Sequence, residues 1–318
     1  APTGSSLVGF LQAGSGAVTR TAQAKLRESI SVSDFGAVGD GTTDDTAAVQ
    51  AALTAAAGRS LYIQKGVYLC GALTIYSGTN MYGDSPTTSI IKAKSNLGSG
   101  TPLLVNQNTT GTAYVYTDTG IQVRNIGFDG NNLGNRVEGL VAFGKVADAV
   151  FDNCKVYDTK YIGLVIAGCL SFAVNNSYFT NCGNTVETAE GGAAIWIGNA
   201  GDTTVSFDVS ITENTFQSNN WSAIYATGNR TSIIGNYLSS NQESGMFVTG
   251  SNNVISNNWI SNQTIKHISA SGLEIGGDNT TITGNYIGDT DSDNISLTDV
   301  AFVTITGNTL LNPGRNSV

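Results

Sequence analysis

Ile282-Thr283-Gly284-Asn285-Tyr286-Ile287 is written again as Ile305-Thr306-Gly307-Asn308-Thr309-Leu310. Upstream it recurs as Ile255-Ser256-Asn257-Asn258-Trp259-Ile260, Ile233-Ile234-Gly235-Asn236-Tyr237-Leu238 and Ile211-Thr212-Glu213-Asn214-Thr215-Phe216. Weaker copies start at Val174, Phe151 and Val123, so the spacings from Val123 onward are 28, 23, 37, 22, 22, 27 and 23. A base period of 22 to 23 residues with insertions marks a solenoid, because a single coil can bury its apolar face only against its neighbours. The Asn column implies asparagines stacked from coil to coil at the turns.

Composition agrees with short strands and tight turns. The 318 residues include 39 Gly and 4 Pro, and only 12% are charged. A formal charge of -9 argues against nucleic acid or an anionic membrane surface as the main partner. There is no run of 18 apolar residues. Residues 1–16 lack the charged start and apolar block of a signal peptide, so export, if any, is expected by another route. One histidine and four scattered cysteines (Cys70, Cys154, Cys169, Cys182) offer no zinc spacing, and the cysteines read as small buried residues. No metal and no cofactor are expected. Asn108, Asn175, Asn220, Asn229, Asn262, Asn279 and Asn294 lie in Asn-x-Ser/Thr triplets, which stacked turn asparagines explain better than glycosylation.

Before the coils, residues 1–33 read as an attachment segment with a short amphipathic helix over 17–28. Residues 34–318 read as one solenoid domain. Asp34-Phe35-Gly36-Ala37-Val38-Gly39-Asp40-Gly41-Thr42-Thr43-Asp44-Asp45 makes a tight turn, and Asp44 or Thr43 can cap a helix over 46–57. That helix would close the open end of the solenoid. The turn lacks the ligand spacing of an EF-hand, so capping is favoured over calcium binding. Strands from Leu61 to Ala93 begin the coiling, residues 94–119 read as an elaborated loop or irregular coils, and regular coils run from about 120.

Two N-terminal stretches, Gly4-Ser5-Ser6-Leu7-Val8-Gly9-Phe10-Leu11-Gln12-Ala13-Gly14 and the Asp34 to Asp45 turn, together resemble bacteriophage tailspike proteins of the pectate-lyase-like superfamily. The resemblance implies a right-handed, three-sided parallel β-helix, usually a homotrimer, attached to a phage tail through its N-terminal segment and therefore virion-borne and extracellular. It also implies binding, and often cleavage, of a bacterial surface polysaccharide, either capsule or lipopolysaccharide. The mannuronan epimerases of the superfamily carry Asp-Pro-His-Glu after a Tyr-Gly pair. The comparable coil here reads Tyr161-Ile162-Gly163-Leu164-Val165-Ile166-Ala167, so epimerase chemistry is not implied.

A second repeated strand lies between the Asn-bearing ones. Strand alternation places Leu140, Leu164, Ile195, Ile224, Met246, Leu273 and Ile295 inside, leaving an outward column of Val141, Val165, Trp196, Tyr225, Phe247, Glu274 and Ser296. Aromatics stacked at about 4.8 Å per coil suit either sugar rings or a subunit contact. Insertions in a solenoid gather on one face. Here they bring Glu187, Glu190, Trp221, Glu243, Lys266 and His267 towards the column.

Glycoside hydrolysis needs an acid and a second carboxylate about 5 Å apart for retention or roughly 6.5–9.5 Å apart for inversion. Glu243 with Glu274, or Glu187 and Glu190 with a neighbour, are the expected catalytic residues. Trp196, Tyr225, Phe247 and Trp221 are expected against the sugar. Elimination from a uronic-acid polymer would use Tyr161 or His267 as base, with Lys160 or Lys266 facing the substrate carboxylate. A non-catalytic receptor-binding or structural spike is the alternative from a different class.

Overall fold

The computed structural model describes residues 4–95, 97–98, 100–109, 115–131, 139–183, 192–198, 205–264 and 271–314. Among them, three parallel sheets of nine, twelve and eleven strands wind into a three-sided β-helix. Sheet 1 runs from Leu73–Ile75 to Ile295–Leu297, sheet 2 from Ile30–Ser31 to Thr304–Thr306, and sheet 3 from Asp40–Asp44 to Thr309–Pro313. From Ser60–Ile63 to Ile295–Leu297 each coil contributes a strand to every sheet, and Asp118–Thr119 is an extra strand on sheet 2.

The register follows the sequence repeat. Val123, Phe151, Val174, Ile211, Ile233, Ile255, Ile282 and Ile305 pair in succession down sheet 2. The ladder is unbroken across the longer spacings. The first six of these that begin with Val123 and end with Ile255 are fully buried. Large side chains stack inside as well, Phe179 on Phe216 at 5.1 Å and 12°.

The repeated hexapeptide encodes a corner. The residue before each ladder asparagine has positive φ: Glu213 at 55°, Gly235 at 69°, Asn257 at 55°, Gly284 at 68° and Gly307 at 63°. One left-handed residue turns the chain from sheet 2 to sheet 3, and Gly and Asn tolerate that conformation best. At Gly284 a Cβ would lie 2.5 Å from Asn257 Oδ1, so glycine also permits the close stacking of coils there. The asparagine after the corner points inward. Asn214, Asn236, Asn258, Asn285 and Asn308 form a continuous hydrogen-bond ladder. A second ladder, Cys182 N–H to Asn219 Oδ1 and Asn219 to Asn241, lines the corner from sheet 3 to sheet 1.

The N-terminal end is closed by helix Thr46–Ala55, whose Val49, Ala52 and Leu53 are buried. It is two residues shorter than the expected 46–57. The three carboxylates of the preceding turn serve its own donors. Asp40 accepts the N–H groups of Thr42 and Thr43, Asp44 accepts that of Thr46 and pairs with Lys94 at 2.6 Å, and buried Asp45 accepts those of Val38 and Gly39. Among the described residues no group of three or more His, Cys, Asp or Glu is placed to hold a metal.

Three expectations shift. Leu104–Asn106 pairs with Leu73–Ile75, so the stretch expected as an elaborated loop or irregular coils gives sheet 1 a regular strand. Ile30–Ser31 already pairs with Ser60–Ile63, ahead of the boundary placed at residue 34. In the helix expected over 17–28 only Ala22–Leu26 is helical, because Arg20–Thr21 pairs antiparallel with Gly9–Phe10 and Thr21 Oγ1 then caps the helix by accepting Ala24 N–H. No helix among the described residues is long and apolar enough to cross a membrane.

Candidate functional site

Sheet 1 carries the outward column. Val165, Trp196, Tyr225, Phe247, Glu274 and Ser296 are register partners on successive coils, alternating with buried Leu164, Ile195, Ile224, Met246, Leu273 and Ile295. Val141 does not belong to it. Val141 pairs with Leu164 and is buried, so Ala142 takes the outward place. Aligning the coils on Gly139-Leu140 put the strand one residue out of register, and a one-residue slip exchanges the faces. Phe143 opposite Ile166 is the core residue that fixes the true register.

The aromatic side chains do not all present the same surface. Tyr225 and Phe247 lie with ring centroids 4.8 Å apart and planes 17° apart. Near-parallel rings that close must face each other, so their edges and not their faces meet solvent. Trp196 is laid down differently. A Cβ on Gly198 would sit 2.3 Å from the outer end of its benzo ring, so the indole reaches along the strand over that glycine.

Glu243 stands on the turn entering the strand Met246–Val248. Two residues earlier, fully buried Asn241 pins the turn by accepting Asn219 Nδ2–H and donating to Phe216 O. A Cβ on Gly245 would come within 2.6 Å of Gly272 O, so glycine allows the next coil to close in. Gly245 N–H then donates to Ser271 O at 3.1 Å. Between these, buried Ser244 donates its hydroxyl to Glu274 Oε1 and accepts Ser271 N–H at 3.3 Å. The Glu243 carboxyl is pushed up to about 7, first by burial and then by the charge of Glu274. Burial disfavours the charged form, and a second carboxylate adds to the penalty. The pair thus offers a carboxyl that keeps its proton well above the ordinary carboxylate range beside a second one that accepts a serine hydrogen bond.

The other expected residues are placed elsewhere. Trp221 is 7% exposed, and its indole fills the space over Gly183 and Gly192, where a Cβ would fall 2.4 and 2.5 Å from it. It packs beneath the surface and is not part of the exposed strip. Lys160 and Tyr161 are half-buried on the turn before Leu164–Ala167, three coils from Glu243, or about 14 Å along the axis. Glu187, Glu190, Lys266 and His267 lie outside the described residues.

Two features were not foreseen. Ser244 has a sequence signal only in its place after Glu243. On sheet 3, Asp129 accepts Asn131 N–H at 2.6 Å, hydrogen-bonds Tyr157 and lies 3.9 Å from Lys92, while burial raises its carboxyl above the usual range. The four cysteines are buried free thiols, each pushed up to about 12 by burial.

Residues 29–159 match the family described as Rhamnogalacturonase A/epimerase, pectate lyase-like, and residues 193–318 match the right handed beta helix region. The two matches cover separate parts of the chain, and both agree with the parallel β-helix described above. The chain is 33% identical over 172 residues to the tail spike protein of Shigella phage Sf6, a match covering 49% of this chain and 26% of that protein. Depolymerase 1, capsule K30/K69-specific, of Klebsiella phage K5-2 is 43% identical over 74 residues, 23% of this chain and 9% of that protein. Mannuronan C5-epimerase AlgE3 of Azotobacter vinelandii is 36% identical over 124 residues, 34% of this chain and 6% of that protein. Each match thus spans about a quarter or less of the relative's length. Among solved structures, a tailspike protein of E. coli bacteriophage HK620 in complex with a pentasaccharide superposes with a TM-score of 0.77 at 13% identity, over 97% of this chain and 62% of that one. At that identity the likeness is one of fold.

Proposed function

We propose that this chain is the β-helical part of a phage tailspike-type depolymerase that binds a bacterial surface polysaccharide, capsule or lipopolysaccharide, and cleaves it by glycoside hydrolysis. The observation that carries the reading is the Glu243–Glu274 pair: one half-buried carboxyl raised to about 7, coupled to a carboxylate held by a serine hydroxyl at the end of an aromatic column. A raised carboxyl beside an ionised one is what acid-assisted glycosidic cleavage requires. In this reading Glu243 protonates the leaving oxygen. Glu274 acts as base or nucleophile, and Trp196 carries a sugar ring further along the column. The likeness to the capsule-specific depolymerase of the Klebsiella phage supports a capsule-type substrate, and that to the Sf6 tail spike supports a spike. It also supports a virion-borne, extracellular protein, and in this reading the chain is part of a homotrimer joined to a phage tail by its N-terminal segment.

The test is incubation with purified capsule and lipopolysaccharide panels. New reducing ends without the ultraviolet absorbance of an unsaturated uronide, lost in Glu243→Gln, are the expected result. That absorbance would replace hydrolysis by elimination. Binding without any cleavage would leave a non-catalytic receptor-binding spike.

A further inference from the structure

Glu243 and Glu274 are chemically the same side chain, and hydrolysis requires them to behave differently. The structure supplies an asymmetry between them. A relay runs from Ser271 N–H to Ser244 Oγ, and from the Ser244 hydroxyl to Glu274 Oε1. Ser244 is 3% exposed, so no water competes freely for either bond. Because Ser271 N–H occupies one lone pair of the oxygen, the hydroxyl hydrogen is aimed at the carboxylate. Ser244 adjoins Glu243 in sequence, whereas Glu274 lies on the next coil. One buried hydroxyl therefore ties the two carboxyl-bearing coils together.

We propose that Ser244 is the positioning residue of this pair: by donating to Glu274 Oε1 while it is anchored by Ser271 N–H, it assigns Glu274 the role of carboxylate and leaves Glu243 that of acid. The inference rests on the hydrolytic reading given above. A donated hydrogen bond favours the charged form of a carboxyl group, and the resulting charge disfavours ionisation of its neighbour. The charge of Glu274 already contributes to the raised Glu243 carboxyl. Remove the hydroxyl, and the two carboxyls become more alike, with their two macroscopic titrations drawn together. Among the described residues, the other titratable groups on sheet 1 and the turns entering it from the adjoining coils are Tyr225 on the sheet, and Asp291 and Asp293 in the turn after Tyr286–Thr290. None of these carries the relay.

The test uses the full chain labelled for carbon-detected titration of glutamate carboxyls, together with pH–rate profiles of reducing-end release. In Ser244→Ala the Glu274 midpoint is expected to rise and the Glu243 midpoint to fall, each by about one pH unit. The rate profile should narrow and kcat should fall about tenfold or more, with KM little changed. Ser244→Thr, which keeps the donor, should restore both midpoints. Ser244→Cys, a poor donor of similar size, should behave as Ser244→Ala does and stands in for it if the alanine variant fails to fold. Unmoved midpoints in the alanine or cysteine variant would overturn the proposal, while inactive Glu243→Gln and Glu274→Gln would leave the hydrolytic reading standing. Moved midpoints with both glutamine variants still active would overturn that reading, and with it the catalytic assignment of Ser244.

Discussion

Asn258 Oδ1 accepts two hydrogen bonds from Asn236, one from its backbone N–H and one from its Nδ2, both at 2.9 Å. Asn236 Oδ1 does the same for Asn214, so a single side-chain oxygen satisfies one backbone donor and one amide donor of the coil before it. Each asparagine is also bonded to strand carbonyls, as Asn236 is to Ile211 O and Ile234 O. The ladder thereby closes the polar side of a corner that the apolar stack alone would leave unsatisfied. Asn236 is 1% exposed, so Asn236→Ala should strand several buried groups and lower stability by about 2–4 kcal/mol. Asn308→Ala, at the last coil and more exposed, should cost less. Denaturant midpoints of the two variants measure the difference.

The sequence repeat located this ladder and the core register because both recur every coil. It did not reveal the orientation of side chains that occur once. Trp196 and Trp221 look alike as aromatics beside a strand, yet one is laid over Gly198 and the other is folded under residues 183 and 192. Their glycine partners decide the outcome, and a glycine two residues from a tryptophan in a Gly-rich chain is no visible signal. Val141 was misplaced for a related reason: the repeated Gly-Leu pair was a more conspicuous anchor than Phe143, though packing volume sets the register. Glu243 and Glu274 were legible as candidates from coil arithmetic. The hydroxyl that distinguishes them was not, since serines are common in these turns.

The two tryptophans should separate stability from binding. Trp221→Ala should destabilise the fold by about 3–5 kcal/mol, the usual consequence of emptying a large buried site. Trp196→Ala should leave the unfolding midpoint within experimental scatter and weaken polysaccharide binding about tenfold, which corresponds to ~1.4 kcal/mol. Calorimetric titration with an oligosaccharide and thermal unfolding of both variants check the contrast. Equal loss of binding in a properly folded Trp221→Ala would place that residue at the sugar after all.

Buried thiols with raised ionisation resist alkylation, because the thiolate is the reactive form. Cys154, Cys169 and Cys182 are essentially without exposure, and Cys70 is buried beside the capping helix. A maleimide reagent at neutral pH should leave all four unlabelled in the native chain and modify all four in denaturant. Mass spectrometry counts the adducts, and rapid native labelling of any one would show that its coil opens locally.

Glu243 makes the fold sensitive to pH in a defined direction. Its folded value of about 7 lies above the ordinary 4.5, so between these limits the folded chain binds more protons than the unfolded chain. Stability must therefore fall as pH rises through this window, and level off above it. Solvent screening at a half-buried carboxyl limits the effect to roughly 1–2 kcal/mol. Glu243→Gln cannot ionise, so its stability should decline less between pH 4.5 and 7 and exceed that of the parent chain at neutral pH by a similar amount. Activity should show the matching limb, falling as pH rises past about 7 when the acid is lost. Urea midpoints at several pH values, set beside rates of reducing-end release, give both curves from the same samples. A parent chain whose stability does not fall between those pH values would mean that Glu243 titrates as an ordinary surface carboxyl and cannot serve as the acid.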